Sequence, residues 1–165
     1  MTVEELLAVL ELQEDVLQFS HFTNRDAWEL GTLIVGEAMK RNFPVAVSIR
    51  LNNGFNVFQH GCDGANLDHE RWLKRKYNTV KVKEMSTLRA YTWLQAQGQT
   101  LEDWYMDPKE YAACGGGFPI RIEEVGVIGA ICVSGLEHVA NHDLIVKCVS
   151  RYLHVNEIPR IKVSF

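Results

Sequence analysis

The residues with the clearest chemical potential lie in a glycine-rich stretch, Ala112 to Leu136, which contains three consecutive glycines, Gly115 to Gly117. Adjacent glycines are costly in backbone entropy, so they indicate a backbone that needs a positive φ or a close approach to another group. The run lacks the sequel of a phosphate-binding P-loop and the spacing of a dinucleotide-binding turn. A structural turn and a ligand contact are therefore equally good interpretations of the three glycines.

Two polar residues close to the glycines could take part in binding. Arg121 could hold a carboxylate or a phosphate, although a surface ion pair is the more common fate of an arginine. Ser134 follows the apolar run Val125 to Val133, and its distance from Glu137 is that of a capping box at the start of the last helix. Such a helix start also offers free backbone N–H groups to an anion. Because no nucleophile elbow surrounds Ser134, capping is preferred over catalysis.

The histidines suggest a different kind of site. His138 and His142 are one helical turn apart, but no third ligand has the spacing of a helical zinc motif, so a metal site is not expected. A single histidine, either His142 or His60, could instead be the axial ligand of a haem iron. The more common role of such a residue is a hydrogen bond in the core or at a helix end.

A concentration of basic residues contrasts with the net charge of −4 for the whole chain. The simpler interpretation is a solvated helix face with Glu70 and Glu84 as ion-pair partners. If the stripe that holds Trp72 faces a cavity instead, its cations would bind the propionates or phosphates of a ligand. The basic residues are Arg71, Lys74, Arg75, Lys76, Lys81 and Lys83.

The composition limits the class of protein. The chain has 165 residues, 47% hydrophobic and 23% charged, which fits a single globular domain over residues 1–165. The negative net charge argues against nucleic acids and anionic membranes as partners. No signal peptide or membrane-spanning run is recognisable, so the cytoplasm is the expected location. The cysteines are far apart and are expected to be free thiols: Cys62, Cys114, Cys132 and Cys148.

The first half of the chain shows two helices and a hairpin. Residues 3–18 have an amphipathic pattern, and Thr23 or Asn24 can cap a second helix with a buried stripe. Alternation from Val45 to Leu51, the turn Asn52-Asn53-Gly54 and a return strand from Phe55 to Cys62 predict an antiparallel hairpin.

The second half must position the glycine-rich stretch. Asn66 can cap a helical stretch that runs to about Gln95, with a break expected at residues 77–82 because β-branched residues gather there. Tyr111 to Ile122 and Gly126 to Val133 are predicted to be strands, followed by a helix from Glu137 to Leu153. The tail, residues 154–165, alternates again and predicts an edge strand or an arm that docks on a neighbour. The pattern indicates an α+β fold.

Three segments carry a resemblance to a known family: GGGFPIR at 115–121, GVIGAICVSGL at 126–136 and the helix that contains His142. They resemble the haem-degrading-domain family, whose relatives include the GlcG and HbpS proteins. The run from Trp72 to Lys76, followed by Ser86, resembles its branch of small stand-alone proteins of uncharacterised function. The resemblance covers most of residues 20–153 and leaves the tail unmatched.

The resemblance implies a profilin-like α-β-α sandwich, with a central antiparallel sheet flanked by helices, and symmetric oligomers. Some relatives bind haem or a corrinoid. Two positions depart from the family pattern: Asn141 stands where an aspartate is expected, and Glu84 lies where relatives carry histidine. The matching motif residues are Gly116, Gly117, Phe118, Pro119, Arg121, Ser134, Gly135 and His142.

Together these features predict a cytoplasmic homo-oligomer that binds a small molecule, with haem or a related tetrapyrrole as the candidate. His142 or His60 would be axial, with Arg75, Lys76 and Arg121 near the propionates. One alternative is an enzyme that acts on a small anionic metabolite, and another is an assembly module without catalysis. The expected ligand-binding residues are His60, Arg75, Lys76, Gly116, Gly117, Phe118, Arg121, Ser134 and His142.

Overall fold

The computed structural model describes residues 1–161, and its centre is one sheet of four strands. The strands are β1 (Ala46–Leu51), β2 (Asn56–Gly61), β3 (Gly117–Ile122) and β4 (Gly126–Ser134). Their order in the sheet is β2-β1-β4-β3, and each neighbouring pair is antiparallel. β1 and β4 are therefore the central strands, and β2 and β3 form the edges.

Within residues 1–161, five α-helices and one short 3₁₀ helix surround this sheet. The elements are α1 (Val3–Val16), α2 (Asn24–Lys40), α3 (Leu67–Lys83), α4 (Thr87–Gln97), the 3₁₀ helix (Leu101–Trp104) and α5 (His138–Tyr152). Helices α2 and α5 cover one face of the sheet, and α3 covers the other. The fold is thus the expected α+β sandwich with an antiparallel sheet between helical layers.

Both faces of β1 are buried because helices cover the sheet on both sides. Val47 and Ile49 face α2 and α5, whereas Ala46 and Ser48 face α3. The hairpin prediction is confirmed, since β1 and β2 pair from Ala46 opposite Gly61 to Arg50 opposite Asn56.

The predicted start of α2 is also confirmed. Thr23 is its N-cap, and the reciprocal bonds with Asp26 form a capping box. The predicted apolar stripe is fully buried against the sheet, at Ala27, Leu30, Ile34 and Ala38.

The predicted helix break at residues 77–82 was wrong. Helix α3 continues to Lys83 and ends at Glu84, whose φ of 54° is left-handed; Ser86 then caps α4. Tyr77 and Val80 pack into the core beneath the sheet, and this burial outweighs the modest helix preference of the β-branched residues.

Two predictions around the glycines also need correction. The strand from Tyr111 begins only at Gly117, because the backbone N–H of Ala112 donates to Thr79 Oγ1 at 3.0 Å rather than to a strand. Ser134 does not cap α5 either, since it is the last residue of β4 and pairs with Ala46. The N-cap is Glu137, whose carboxylate accepts from the backbone of Val139 and Ala140.

As far as residue 161, the tail packs against the rest of the same chain and does not form a strand. Gln13 Nε2 donates to the carbonyl oxygen of Pro159 at 2.8 Å, and Arg160 makes two hydrogen bonds to Asp143. The predicted alternation at Val163 and Phe165 lies outside the described residues. Within residues 1–161, no helix is both long and apolar enough to cross a membrane.

Candidate functional site

A cleft of about 290 Å³ lies beside the three glycines, where α3, the segment before β3 and the β4–α5 junction meet. We call it the Lys76 cleft. Its lining combines a buried cation with polar and aromatic side chains and one glycine, Gly135. The lining residues are Asp68, His69, Trp72, Lys76, Cys114, Ser134, Gly135, Leu136, His138 and Asn141.

Lys76 is the unusual residue of this cleft because only 2% of it is exposed. Its Nζ donates to the carbonyl oxygen of Val133 at 2.9 Å, and an ammonium group has more donors than this single bond uses. Burial lowers the pKa of Lys76 below its usual range. A positive group with unused donors, held out of water, is well suited to an anion.

The glycines allow the backbone to approach this lysine. Gly116 has a φ of +126°, and a Cβ there would lie 2.2 Å from Val133 O and 2.7 Å from Lys76 Nζ. A Cβ on Gly115 would lie 2.1 Å from His138 O, and Gly117 N–H donates to Thr87 Oγ1 at 2.8 Å. Close packing therefore accounts for all three glycines, and it also brings the ammonium to the wall of the cleft.

His138 closes the cleft from the first turn of α5. Its Nδ1 accepts from the backbone N–H of Gly115 at 3.1 Å, and its ring packs edge-on against Tyr91. Burial lowers the pKa of His138, which favours the neutral ring. Because Nδ1 accepts a hydrogen bond, the neutral ring carries its proton on Nε2. That nitrogen lies 3.5 Å from Glu137 Oε1. The sequence suggests His138 only as half of a metal pair and contains no signal for its contact with Gly115.

Cys114 lies in the cleft but is not an activated nucleophile. Burial raises the pKa of its thiol, although Lys76 and Arg75 act in the opposite direction. Only the thiolate attacks readily, so the neutral thiol disfavours covalent chemistry here.

Asn141 explains one departure from the family pattern. The backbone N–H of Leu136 donates to Asn141 Oδ1 at 3.0 Å, and Asn141 Nδ2 donates to Leu136 O at 3.1 Å. An aspartate has no donor for the second bond. The amide therefore fixes the loop between β4 and α5, which forms one wall of the cleft.

The structure brings together only some of the expected ligand-binding residues. Lys76 and Ser134 line the cleft, and Gly116 lies close to Lys76 Nζ, whereas Gly117 packs against Thr87 and Val80. Arg75 stacks on the Trp72 ring at 3.8 Å and donates to the carbonyl oxygen of Pro108 at 2.6 Å.

The other expected residues lie elsewhere. His142 and Phe118 are buried with their rings 5.9 Å apart, and His142 Nε2 is 2.7 Å from Gln13 Oε1. Burial lowers the pKa of His142 to about 4. His60 is exposed on the edge strand β2, whereas Arg121 is on the opposite edge strand and donates to Glu84 O at 2.9 Å.

The fold and the sequence together place the chain in a family of α+β sandwich proteins. Residues 22–150 match the model of the family described as haem degrading protein HbpS-like, and the chain belongs to this family. It is 39% identical over 148 residues to a UPF0303 protein of Streptomyces coelicolor, covering 89% of this chain and 93% of that relative. The resemblance seen in the sequence is therefore confirmed.

Solved structures agree on the fold. The Ybr137w protein superposes with a TM-score of 0.82 at 29% identity, covering 93% of this chain and 88% of that one. PduOC, solved as a haem complex, superposes with a TM-score of 0.66 at 20% identity, covering 78% and 93% respectively.

The expected haem-binding residues lie in separate parts of one chain. His142 is in the core with its Nε2 bound to Gln13, and His60 and Arg121 are on opposite edges of the sheet. Among residues 1–161, no group of three or more histidine, cysteine, aspartate or glutamate side chains could hold a metal ion. A haem iron needs only one axial side chain, so this finding concerns metal sites built from protein ligands alone.

Proposed function

We propose that the protein binds a small ligand carrying a carboxylate or phosphate group, and that the Lys76 cleft holds this group. The observation that carries the proposal is the buried ammonium of Lys76, whose hydrogen bond to Val133 O leaves donors free. Trp72 and the neutral His138 beside it offer an aromatic surface and an N–H donor.

Haem is the first ligand to test because the family is described as haem degrading and the related PduOC is known as a haem complex. Haem carries two propionates and so shares the carboxylate chemistry. A cleft of about 290 Å³ is at the lower end of the size range of small-molecule pockets. It can take a propionate, with the macrocycle outside the cleft.

The assembly expected from the sequence remains part of this proposal. We propose a homo-oligomer because the edge strand β2 lies beside apolar side chains that are open to solvent, with Trp28 65% and Phe55 55% exposed. The free cysteines agree with the reducing cytoplasm as its location. Light scattering of full-length protein and of a chain ending at Leu153 tests whether the tail contributes to the oligomer.

The binding experiment compares Lys76→Met with Lys109→Met, which removes one exposed lysine outside the cleft. Haemin is followed by its Soret band, and inorganic phosphate and succinate are followed by calorimetry. We expect Lys76→Met to weaken binding by at least about tenfold, since a hydrogen bond to a charged group contributes about 1.5–3 kcal/mol. Lys109→Met should bind like the wild type.

The outcomes separate the ligand classes. If only haemin binding is weakened by Lys76→Met, the cleft is assigned to a tetrapyrrole propionate; if only binding of the small anions is weakened, it is assigned to a metabolite. Equal binding by the wild type and Lys76→Met would overturn the proposal. Analysis of the phosphate and succinate samples for reaction products tests the enzyme alternative. The neutral thiol of Cys114 disfavours that alternative.

A further inference from the structure

We infer that the protein has a second anion site, on the other flank of α3, which takes a small phosphate-bearing molecule. A cleft of about 310 Å³ opens there between α3 and the β1–β2 hairpin. We call it the basic cleft. The residues that matter for binding are Ser48, Arg50, Gln59, Glu70, Arg71 and Lys74.

The charge of the basic cleft is unbalanced. It contains three cations, Arg50, Arg71 and Lys74, and one carboxylate, Glu70, although the whole chain has a net charge of −4. Glu70 Oε1 accepts a hydrogen bond from Gln59 Nε2 at 2.9 Å. Within residues 1–161, none of the three cations forms an ion pair. The single carboxylate therefore leaves an excess of positive charge in the cleft.

Arg50 is the fixed member of this group. Its Nε donates to the carbonyl oxygen of Gly54 at 3.0 Å, and its guanidinium lies 4.8 Å from the centre of the Tyr77 ring. Tyr77 is itself held by a hydrogen bond from its hydroxyl to Leu51 O. Because these contacts use Nε and one face of the guanidinium, the terminal nitrogens remain for an oxyanion.

Arg71 and Lys74 can close on the ligand from the helix. Both are exposed, and they lie one turn apart on the flank of α3 that faces the hairpin. Two arginines and a lysine around a small cleft suit the several oxygens of a phosphate better than the single plane of a carboxylate. The small volume and the acidic chain favour a free phosphorylated metabolite over a nucleic acid.

The test uses full-length protein and three probes: pyrophosphate, glycerol phosphate and succinate. The variant is Arg71→Gln/Lys74→Gln, and the matched control is Arg25→Gln/Lys109→Gln, which removes the same charge at exposed positions elsewhere. We expect both phosphate probes to bind the wild type, and the variant to weaken binding by at least about tenfold, because charge-assisted hydrogen bonds are lost. The control should retain its affinity.

Amide NMR shifts locate the binding. Shifts at Ser48 and Gln59 support the inference, whereas shifts confined to Gly115 to Gly117 would assign the phosphate to the Lys76 cleft and overturn it. The inference also fails if phosphate does not bind at millimolar concentration, if succinate shifts the amides of Ser48 and Gln59 as strongly at the same concentration, or if both double variants lose affinity equally. Since the Lys76→Met experiment reports on a different cleft, either proposal can fail while the other stands.

Discussion

The two flanks of α3 present positive charge in opposite ways. On one flank, Lys76 is 2% exposed and its ammonium is bound to the backbone at Val133. On the other flank, Arg71 and Lys74 are in solvent and have no ion-pair partner within residues 1–161. The buried charge of Lys76 is stabilised by the surrounding backbone. The electrostatic energy of the exposed charges depends mainly on their mutual repulsion and on screening by salt.

This difference shows how one helix can support two binding modes. A buried charge is already desolvated and fixed, so it recognises a ligand through geometry. Exposed cations attract a ligand over a longer distance but lose side-chain freedom when they bind. We therefore expect substitutions near Lys76 to affect folding, and substitutions near Lys74 to affect binding alone.

The largest effect is expected for Gly116→Ala. The added Cβ would meet Val133 O at 2.2 Å, at a φ that favours glycine, so unfolding free energy should fall by about 3 kcal/mol or more. Gly126→Ala is the matched control, because its φ of +127° is nearly identical and no atom lies within 4 Å. The unfolding free energy of Gly126→Ala should fall by only about 1–2 kcal/mol, as measured by urea denaturation. Equal losses would show that close approach to Lys76 is unimportant.

The next effect concerns pH on the buried side. Burial lowers the pKa of His142 to about 4 in the fold, against the ordinary histidine value of 6.5, so below pH 6.5 the unfolded chain takes up the proton first. This histidine therefore removes up to about 3 kcal/mol of stability as the pH falls from 6.5 to 4. His142→Gln should abolish that part of the pH dependence.

The exposed His60→Gln variant is the control for this titration. This variant makes the same His-to-Gln change at an exposed position on β2. Glu14 acts in the opposite sense, because burial raises its pKa to about 6 and its protonation stabilises the fold as the pH falls. Since Glu14 is present in all three proteins, its contribution cancels in the comparison. An identical profile for His142→Gln and the wild type would contradict the prediction.

A smaller effect is expected for Asn141→Asp, which restores the residue that the family pattern led us to expect. The carboxylate cannot donate to Leu136 O, so unfolding free energy at neutral pH should fall by about 1–2 kcal/mol. Asn24→Asp makes the same charge change at the exposed start of α2 and should change stability little. A more stable Asn141→Asp protein would show that the amide is not needed by the loop.

The smallest effect on stability is expected on the exposed flank. The unfolding free energy of Arg71→Gln/Lys74→Gln should lie within about 0.5 kcal/mol of that of the wild type. Within residues 1–161, neither side chain is buried or forms an ion pair. Denaturation in urea at low and high salt measures this. A large loss would mean that these cations serve the fold, and the contrast between the two flanks would disappear.

Local patterns predicted most of the fold. The turn at Gly54, the cap at Thr23 and the buried stripe of α2 are encoded by neighbouring residues, and each was confirmed. The break in the helical stretch was misplaced because burial of Val80 in the core depends on a sheet that is distant in sequence. Helix propensity depends on local residue types alone, so it does not predict such tertiary packing.

The candidate site was less predictable for the same reason. Lys76 and Ser134 were anticipated, but their meeting depends on a close approach between α3 and the end of β4. His142 matched the family motif, yet it contacts Gln13, which is 129 positions away along the chain. The sequence contained no local signal for this contact.

The position of β1 at the centre of the sheet has a consequence for synthesis on the ribosome. β1 and β2 can pair as soon as the hairpin emerges, but Leu51 must wait for its other partner, Gly129, roughly 80 residues later. At a synthesis rate of about 5–20 residues per second, the edge of β1 that pairs with β4 stays unpaired for roughly 4 to 16 s. We expect the nascent chain to need protection by a chaperone during this interval, since an unpaired apolar strand edge is a template for aggregation.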